Sequence, residues 1–225
     1  MCRKLTCPYS ELEIQDALFQ MAPTKAPGLD GFFAWFYQKY WGLVKEKVVG
    51  SVMHMLREGM VEGELNKTLI TLVPKKRDPE RMEDYRPISL CNVIVKLVTK
   101  VLINKLKQIL PAIISESQSA FVQGKLISDN ILAAYELFHF IKTRNKKKGG
   151  FFVLKFDMSK AYDRVEWDFL EAMLLKLGFP EVWVKCVMTC ICSVRYAVIV
   201  NDMISKDVWP ERGIRQGDPL SPTSS

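Results

Sequence analysis

The side chains best suited to chemistry are two aspartates, Asp157 and Asp163, in the stretch FFVLKFDMSKAYDRVEWDFL at residues 151–170. An apolar run that stops on a carboxylate places that group at the rim of a sheet, where ligands commonly bind. Hard carboxylate oxygens there suit a divalent cation such as magnesium, which keeps waters and phosphates in its shell and takes one or two protein carboxylates. Asp157 is the candidate first ligand. Asp163 has a competing use: D-R-V-E reads as a capping box, Asp163 with Glu166, opening a helix whose apolar face carries Trp167, Leu170, Met173, Leu174 and Leu177. We read Asp163 as that cap.

The elements that must hold these residues follow from period and punctuation. Ser10 with Glu13 forms another capping box, ahead of Ile14, Leu18 and Met21 at helical spacing. A turn-rich loop with Pro23, Pro27, Gly28 and Gly31 leads to a long aromatic and Met-rich helix from about Phe32 to Glu58, ended by Gly59. KTLITLVP reads as a strand, and the basic PKKRDPERMEDYRP after it as an exposed hairpin or loop. Between Ile88 and Leu110, the positions Leu90, Val93, Ile94, Leu97, Val101 and Leu102 share one face, which predicts a second long helix closed by Pro111. A further helix is expected from about Asp129 to Thr143, and the turn RNKKKGG then feeds a strand at 151–157. VRYAVIV, the turn ND and MISKDVW read as a hairpin at an uncovered edge. The fold class is α+β, helix-rich with a small antiparallel sheet.

Composition narrows the function without deciding it. Thirty-two basic against 25 acidic residues give a net charge of +7, which favours a polyanionic partner and equally fits an ordinary basic globular protein. Six cysteines without a C-x-x-C, and only His54 and His139 beside them, indicate neither a zinc site nor a disulfide framework. Reduced thiols fit a nuclear or cytoplasmic setting. The N-terminus lacks the apolar core of a signal peptide, and Arg195 interrupts the run VMTCICSVRYAVIV, so no membrane partner is expected.

KFDMSKAYDRV resembles motif A of reverse transcriptases. KAPGLDGFFAWFYQKYW, LITLVPKK, DYRPISLCNVIVKLVTKVLINKLK, SQSAFVQGKLISDNIL and GIRQGDPLSP resemble blocks of the LINE-type, non-LTR retrotransposon enzymes, in particular their plant branch, and stand in that family's order. A lone D-x-x-x-A-Y is a weak signal; six blocks in sequence are specific. The resemblance implies a right-hand polymerase: an N-terminal helical extension at 1–60, fingers at 61–150 and a partial palm with motifs A and B at 151–225. It also implies RNA-directed DNA polymerase activity, a nucleotidyl transfer that extends a DNA primer on an RNA template with deoxynucleoside triphosphates and magnesium or manganese ions.

Carried over position by position, the resemblance makes Asp157 the metal ligand and Tyr162 the aromatic gate beneath the nucleotide sugar. The backbone of Met158, Ser159, Lys160 and Ala161 is then placed to cradle triphosphate oxygens. Lys75 and Arg86 match the basic residues that grip the incoming triphosphate, arginine's planar fork suiting phosphate bidentately; solvated loop charge explains each of them as well. Gln216 and Gly217 match the motif B contact to the nucleotide, while Asp218 and Pro219 read as N-cap and first helical position. Lys125, where the family more often has arginine, Lys146 and Lys147 in RNKKK, and Arg215 are candidate nucleic-acid contacts.

In the family a strand pair with paired aspartates follows motif B and supplies the other metal ligand. No such pair occurs in these 225 residues, so the chain is expected to be cut before the metal site is complete and to have negligible polymerase activity alone. Two alternatives stay open: a non-enzymatic nucleic-acid-binding remnant of a retroelement, and a group II intron maturase-like protein or RNA-directed RNA polymerase. Tyr162 and YRPISL argue against the latter.

Overall fold

The Ser10 hydroxyl accepts the Glu13 amide at 3.2 Å, Glu13 Oε2 accepts the Ser10 amide at 2.7 Å, and helix α1 (Glu11–Phe19) starts there. This reciprocal pair satisfies amides that a helix start leaves orphaned, a gain of about 1 kcal/mol. Ile14, Ala17 and Leu18 form its buried face. The computed structural model describes residues 5–61, 63–115, 118, 124, 126–143, 152–156, 158 and 160–220.

The aromatic stretch yields two helices where one was expected, α2 (Ala34–Lys39) and α3 (Trp41–Glu58), broken at Tyr40 with φ −102° and ψ 23°. The rings of Phe36 and Tyr40 pack across the break with centroids 5.3 Å apart. Gly59 ends α3 in the left-handed conformation at φ 59°, which glycine adopts without a Cβ penalty.

KTLITLVP forms strand β1 (Lys67–Pro74), with β2 (Tyr85–Leu90) antiparallel on one side and β3 (Arg195–Val200) parallel on the other. A short β4 (Met203–Ile204) completes the order β2-β1-β3-β4, a mixed sheet whose hairpins are antiparallel. Asn201 and Asp202, at φ 49° and 63°, make the primed turn between β3 and β4 that matches strand twist. The basic segment after β1 is a hairpin connection. Its Asp84 carboxylate accepts the Glu80 and Arg81 amides at 2.9 Å and pairs with Lys76 at 2.9 Å, a set of contacts that holds it below the usual carboxylate range.

Ile88, Ser89 and Leu90 belong to β2, not to the helix predicted from Ile88, because their backbone is committed to the ladder with Leu69, Ile70 and Thr71. Pro87 fits there because β2 is an edge strand. Helix α4 (Val93–Lys107) begins after it and buries residues around much of its circumference, Lys96 and Lys105 included. Both ammonium groups donate to carbonyls, Lys96 to Ala26 at 2.9 Å and Lys105 to Cys7 at 2.6 Å. Burial pushes Lys96 below its ordinary pKa.

The chain divides into two compact units, residues 1–106 with 160–225 and residues 107–159. The second contains α5 (Ile127–Thr143), two residues longer at its start than expected. Residues 152–156 carry no strand: a strand exists only through its ladder, and these residues have none. In the first unit, α6 (Trp167–Lys176) and α7 (Glu181–Cys192) follow a single turn of 3-10 helix at Ala161–Arg164. The Asp163–Glu166 capping box does not form. Glu166 is itself the N-cap of α6, with no side-chain cap bond, and its carboxylate pairs with Arg212 at 3.1 Å. Among the described residues no helix is long and apolar enough to cross a membrane.

Candidate active site

Residues 213–217, the segment GIRQG, fold onto the turn that opens α6. The Gly213 amide donates to the Val165 carbonyl at 2.8 Å, the Ile214 amide to Tyr162 at 2.9 Å, and Trp167 Nε1 to the Gly213 carbonyl at 2.8 Å. The approach is tight: a Cβ on Gly213 would stand 3.2 Å from the Tyr162 oxygen and the Asp163 Cα, and its φ of 89° is one that L side chains rarely adopt. Lys160, at φ 53°, starts the same turn in a conformation that L-residues rarely take, and its carbonyl accepts the Asp163 amide at 3.0 Å.

Beside these contacts is an open cavity of about 130 Å³ lined by Asp163, Arg212, Gly213, Ile214 and Gln216 on one side and by Ile70, Pro87, Ser89 and Tyr196 of the sheet on the other. Burial pushes the Tyr196 hydroxyl up to about 12. Gly217, at φ 92°, comes nearest the Ser89 carbonyl, so the motif B turn rests on β2.

Arg215, read from the sequence as a candidate nucleic-acid contact, lies on the interior side of this turn and is 6% exposed. Its Nη2 pairs with Asp218 at 2.6 Å, Nε donates to the same carboxylate at 2.9 Å, and Nη1 donates to Asn66 at 2.7 Å and Thr68 at 3.0 Å. Burial works against the guanidinium charge, but the Asp218 carboxylate outweighs it and holds the group above its ordinary pKa. Asn66 in turn donates to the Cys190 carbonyl at 3.2 Å and to Ser193 at 2.8 Å, tying the turn to the end of α7. Asp218 also caps the following turn, accepting the Leu220 amide at 2.9 Å.

Among the other expected residues, Tyr162 is half-buried in the 3-10 turn beside Ala161, while Lys160 is exposed. Lys75 and Arg86 are exposed on the β1–β2 hairpin, where Arg86 pairs in register with Val73. Strand alternation sets Arg86 on the face opposite Pro87 and Ser89, so neither basic residue lines the cavity with Gln216. The Lys75 ammonium donates to the Glu83 carbonyl at 2.7 Å. Met158 is exposed in the second unit. Asp157, Ser159, Lys125, Lys146 and Lys147 lie outside the described residues. Among the described residues no three His, Cys, Asp or Glu side chains gather to hold a metal ion, so they do not by themselves make a metal centre. A larger cavity of about 300 Å³, lined by Leu5, Tyr9, Leu56 and Trp183 among others, contains none of the expected residues.

The sequence did not single out Asn66, Thr68 or Tyr196. A signal was present: Asn66 and Thr68 are polar at alternate positions leading into an apolar strand, a pattern that points one face at a polar partner.

Comparison with known proteins places this arrangement. The family described as "Reverse transcriptase (RNA-dependent DNA polymerase)" matches residues 73–225, a stretch that includes β2, the Tyr162 turn and the Arg215 turn. The Xenopus laevis protein named "Transposon TX1 uncharacterized 149 kDa protein" is 32% identical over 223 residues, covering 97% of this chain and 16% of that protein. The Popillia japonica "Retrovirus-related Pol polyprotein from type-1 retrotransposable element R2" is 25% identical over 96% of this chain and 29% of its own length. The Drosophila melanogaster "Probable RNA-directed DNA polymerase from transposon BS" is 25% identical over 93% of this chain and 23% of its own length. The chain therefore spans less than a third of each of these relatives. With the family match running through both the Tyr162 turn and the segment GIRQG that is bonded to it, the chain belongs to the reverse transcriptase family, as a LINE-type domain of the kind found in non-LTR retrotransposons.

Proposed function

We propose that this chain supplies the nucleotide-binding part of an enzyme that copies RNA into DNA, with Asp157 as a metal ligand, Tyr162 as the gate against a 2′-hydroxyl and Gln216 as a contact to the incoming nucleotide. The supporting observation is the pair of bonds from Gly213 and Ile214 to Val165 and Tyr162, which holds the gate residue and the glutamine turn in one assembly. Gln216 offers both an amide donor and an acceptor from a turn whose glycines let the backbone approach closely. Lys75 and Arg86, exposed on the hairpin, are the candidate sources of positive charge for the triphosphate. A divalent cation held by Asp157 would stabilise charge on the phosphoryl oxygens. The RNA template, the DNA primer and deoxynucleoside triphosphates are the corresponding partners.

Primer extension by a full-length retroelement protein carrying this domain tests the reading. Asp157→Asn is expected to reduce DNA synthesis by at least roughly 100-fold, the equivalent of losing a few kcal/mol of transition-state stabilisation. Tyr162→Ala is expected to admit ribonucleotides that the unaltered protein rejects. Unchanged synthesis with Asp157→Asn overturns the metal role. Tight template binding with no extension by the unaltered protein supports a non-enzymatic nucleic-acid-binding role instead.

A further inference from the structure

We infer that Arg215 is a positioning residue that closes and pins the turn presenting Gln216, and that it touches no nucleic acid. This rests on the reading of Gln216 as the nucleotide contact.

Arg215 and Asp218 are the first and last residues of a four-residue turn, and Gln216 and Gly217 are its two central residues. The turn is closed twice, by the backbone bond from the Asp218 amide to the Arg215 carbonyl at 3.4 Å and by the two-point ion pair between the side chains at 2.6 and 2.9 Å. Gly217 at φ 92° occupies the third position, where a type II turn requires positive φ. Closure alone fixes the shape of the turn and leaves its orientation free. Orientation comes from Nη1, which reaches past the turn to Asn66 and Thr68 at the start of the central strand. One planar guanidinium therefore fixes the loop on itself and the loop on the sheet. Lysine cannot do both, because a single ammonium lacks the fork.

Burial makes the device rigid. Arg215 is 6% exposed and Asp218 1%, and Nε and both terminal nitrogens are bonded to Asp218, Asn66 and Thr68, so no face of the guanidinium is left for a phosphate. Asn66 is fully buried and held from its other end by Cys190 and Ser193, which denies it an alternative rotamer. Gln216, by contrast, is only half-buried and lines the cavity.

The test uses the full-length retroelement protein and three variants: Arg215→Lys, the pair Arg215→Gln with Asp218→Asn, and Gln216→Ala. The paired variant removes both charges and leaves no carboxylate buried without a partner. Two quantities are read: the KM for deoxynucleotide against kcat, and the slope of log affinity for a primed template against log salt. The expected result is that Arg215→Lys and the paired variant raise the deoxynucleotide KM about tenfold, as Gln216→Ala does, with the salt slope unchanged. A salt slope reduced by about one in the paired variant, the signature of a lost phosphate contact, overturns the inference. So does an unchanged KM in both Arg215 variants where Gln216→Ala raises it. If Gln216→Ala leaves KM unchanged, the nucleotide role of Gln216 fails, and the salt slope alone still decides whether Arg215 reaches nucleic acid.

Discussion

The amide of Ile214 donates to the carbonyl of Tyr162 at 2.9 Å, joining two residues 52 positions apart in the chain (214 − 162 = 52). Tyr162 belongs to the turn after KFDMSK and Ile214 to the segment GIRQG. Together with the bond from Gly213 to Val165, it holds the two segments in one register.

Gly213→Ala tests that register. Its Cβ would press on Tyr162 and Asp163 at 3.2 Å while the backbone keeps a φ of 89°. Left-handed strain alone costs about 1 to 2 kcal/mol. Urea unfolding is expected to show a loss of at least this size, with deoxynucleotide incorporation falling in parallel. A stability equal to that of the unaltered protein means that the loop does not pack on the turn as described.

Gly28 makes a corresponding claim for the N-terminal loop. A Cβ there would collide with the backbone of Cys91 and Asn92 and with the Asn92 side chain, whose Oδ1 accepts the Asp30 amide at 3.3 Å. Overpacking of this kind costs about 1 to 3 kcal/mol. Gly28→Ala is expected to lower the melting temperature, whereas Gly42→Ala, with nothing within 4 Å of its Cβ and a place inside α3, is expected to raise it slightly.

Alkaline pH is expected to weaken the fold through Tyr196 and Cys190. Burial raises Tyr196 from 10.0 and Cys190 from 9.0, each to about 12, so the unfolded chain releases these protons at lower pH than the folded one. Their contribution is fully present below pH 9 and is lost as pH climbs toward 12. Lys96, whose pKa is lowered by burial, works in the opposite sense. A difference measurement isolates the tyrosine: between pH 10 and 12, Tyr196→Phe should lose stability less steeply than the unaltered protein by about 1.4 kcal/mol per pH unit. Parallel curves refute the buried phenol.

Several elements were legible because their causes are local. The Ser10–Glu13 box, the Gly59 stop, the strand KTLITLVP and the primed turn at Asn201–Asp202 each depend on residues within a few positions of one another. Order and spacing of the motif blocks likewise carried the family. YRPISL misled because its apolar residues also fit the helical period running into α4, and only the ladder to β1 separates the two. D-R-V-E misled for a related reason: Glu166 found a distant cation in Arg212, and the turn tightened to 3-10 geometry.

The chain alone therefore determined its family, its class of fold and the identity of the residues that meet nucleotide in this proposal, since these reside in types and intervals along one dimension. Tertiary structure decided which way those residues face. Arg215 and Gln216 are neighbours with long polar side chains, yet one is sealed against Asn66, Thr68 and Asp218 and the other borders the cavity. That division is set by partners 147 and 149 residues away, whose positions no local interval encodes.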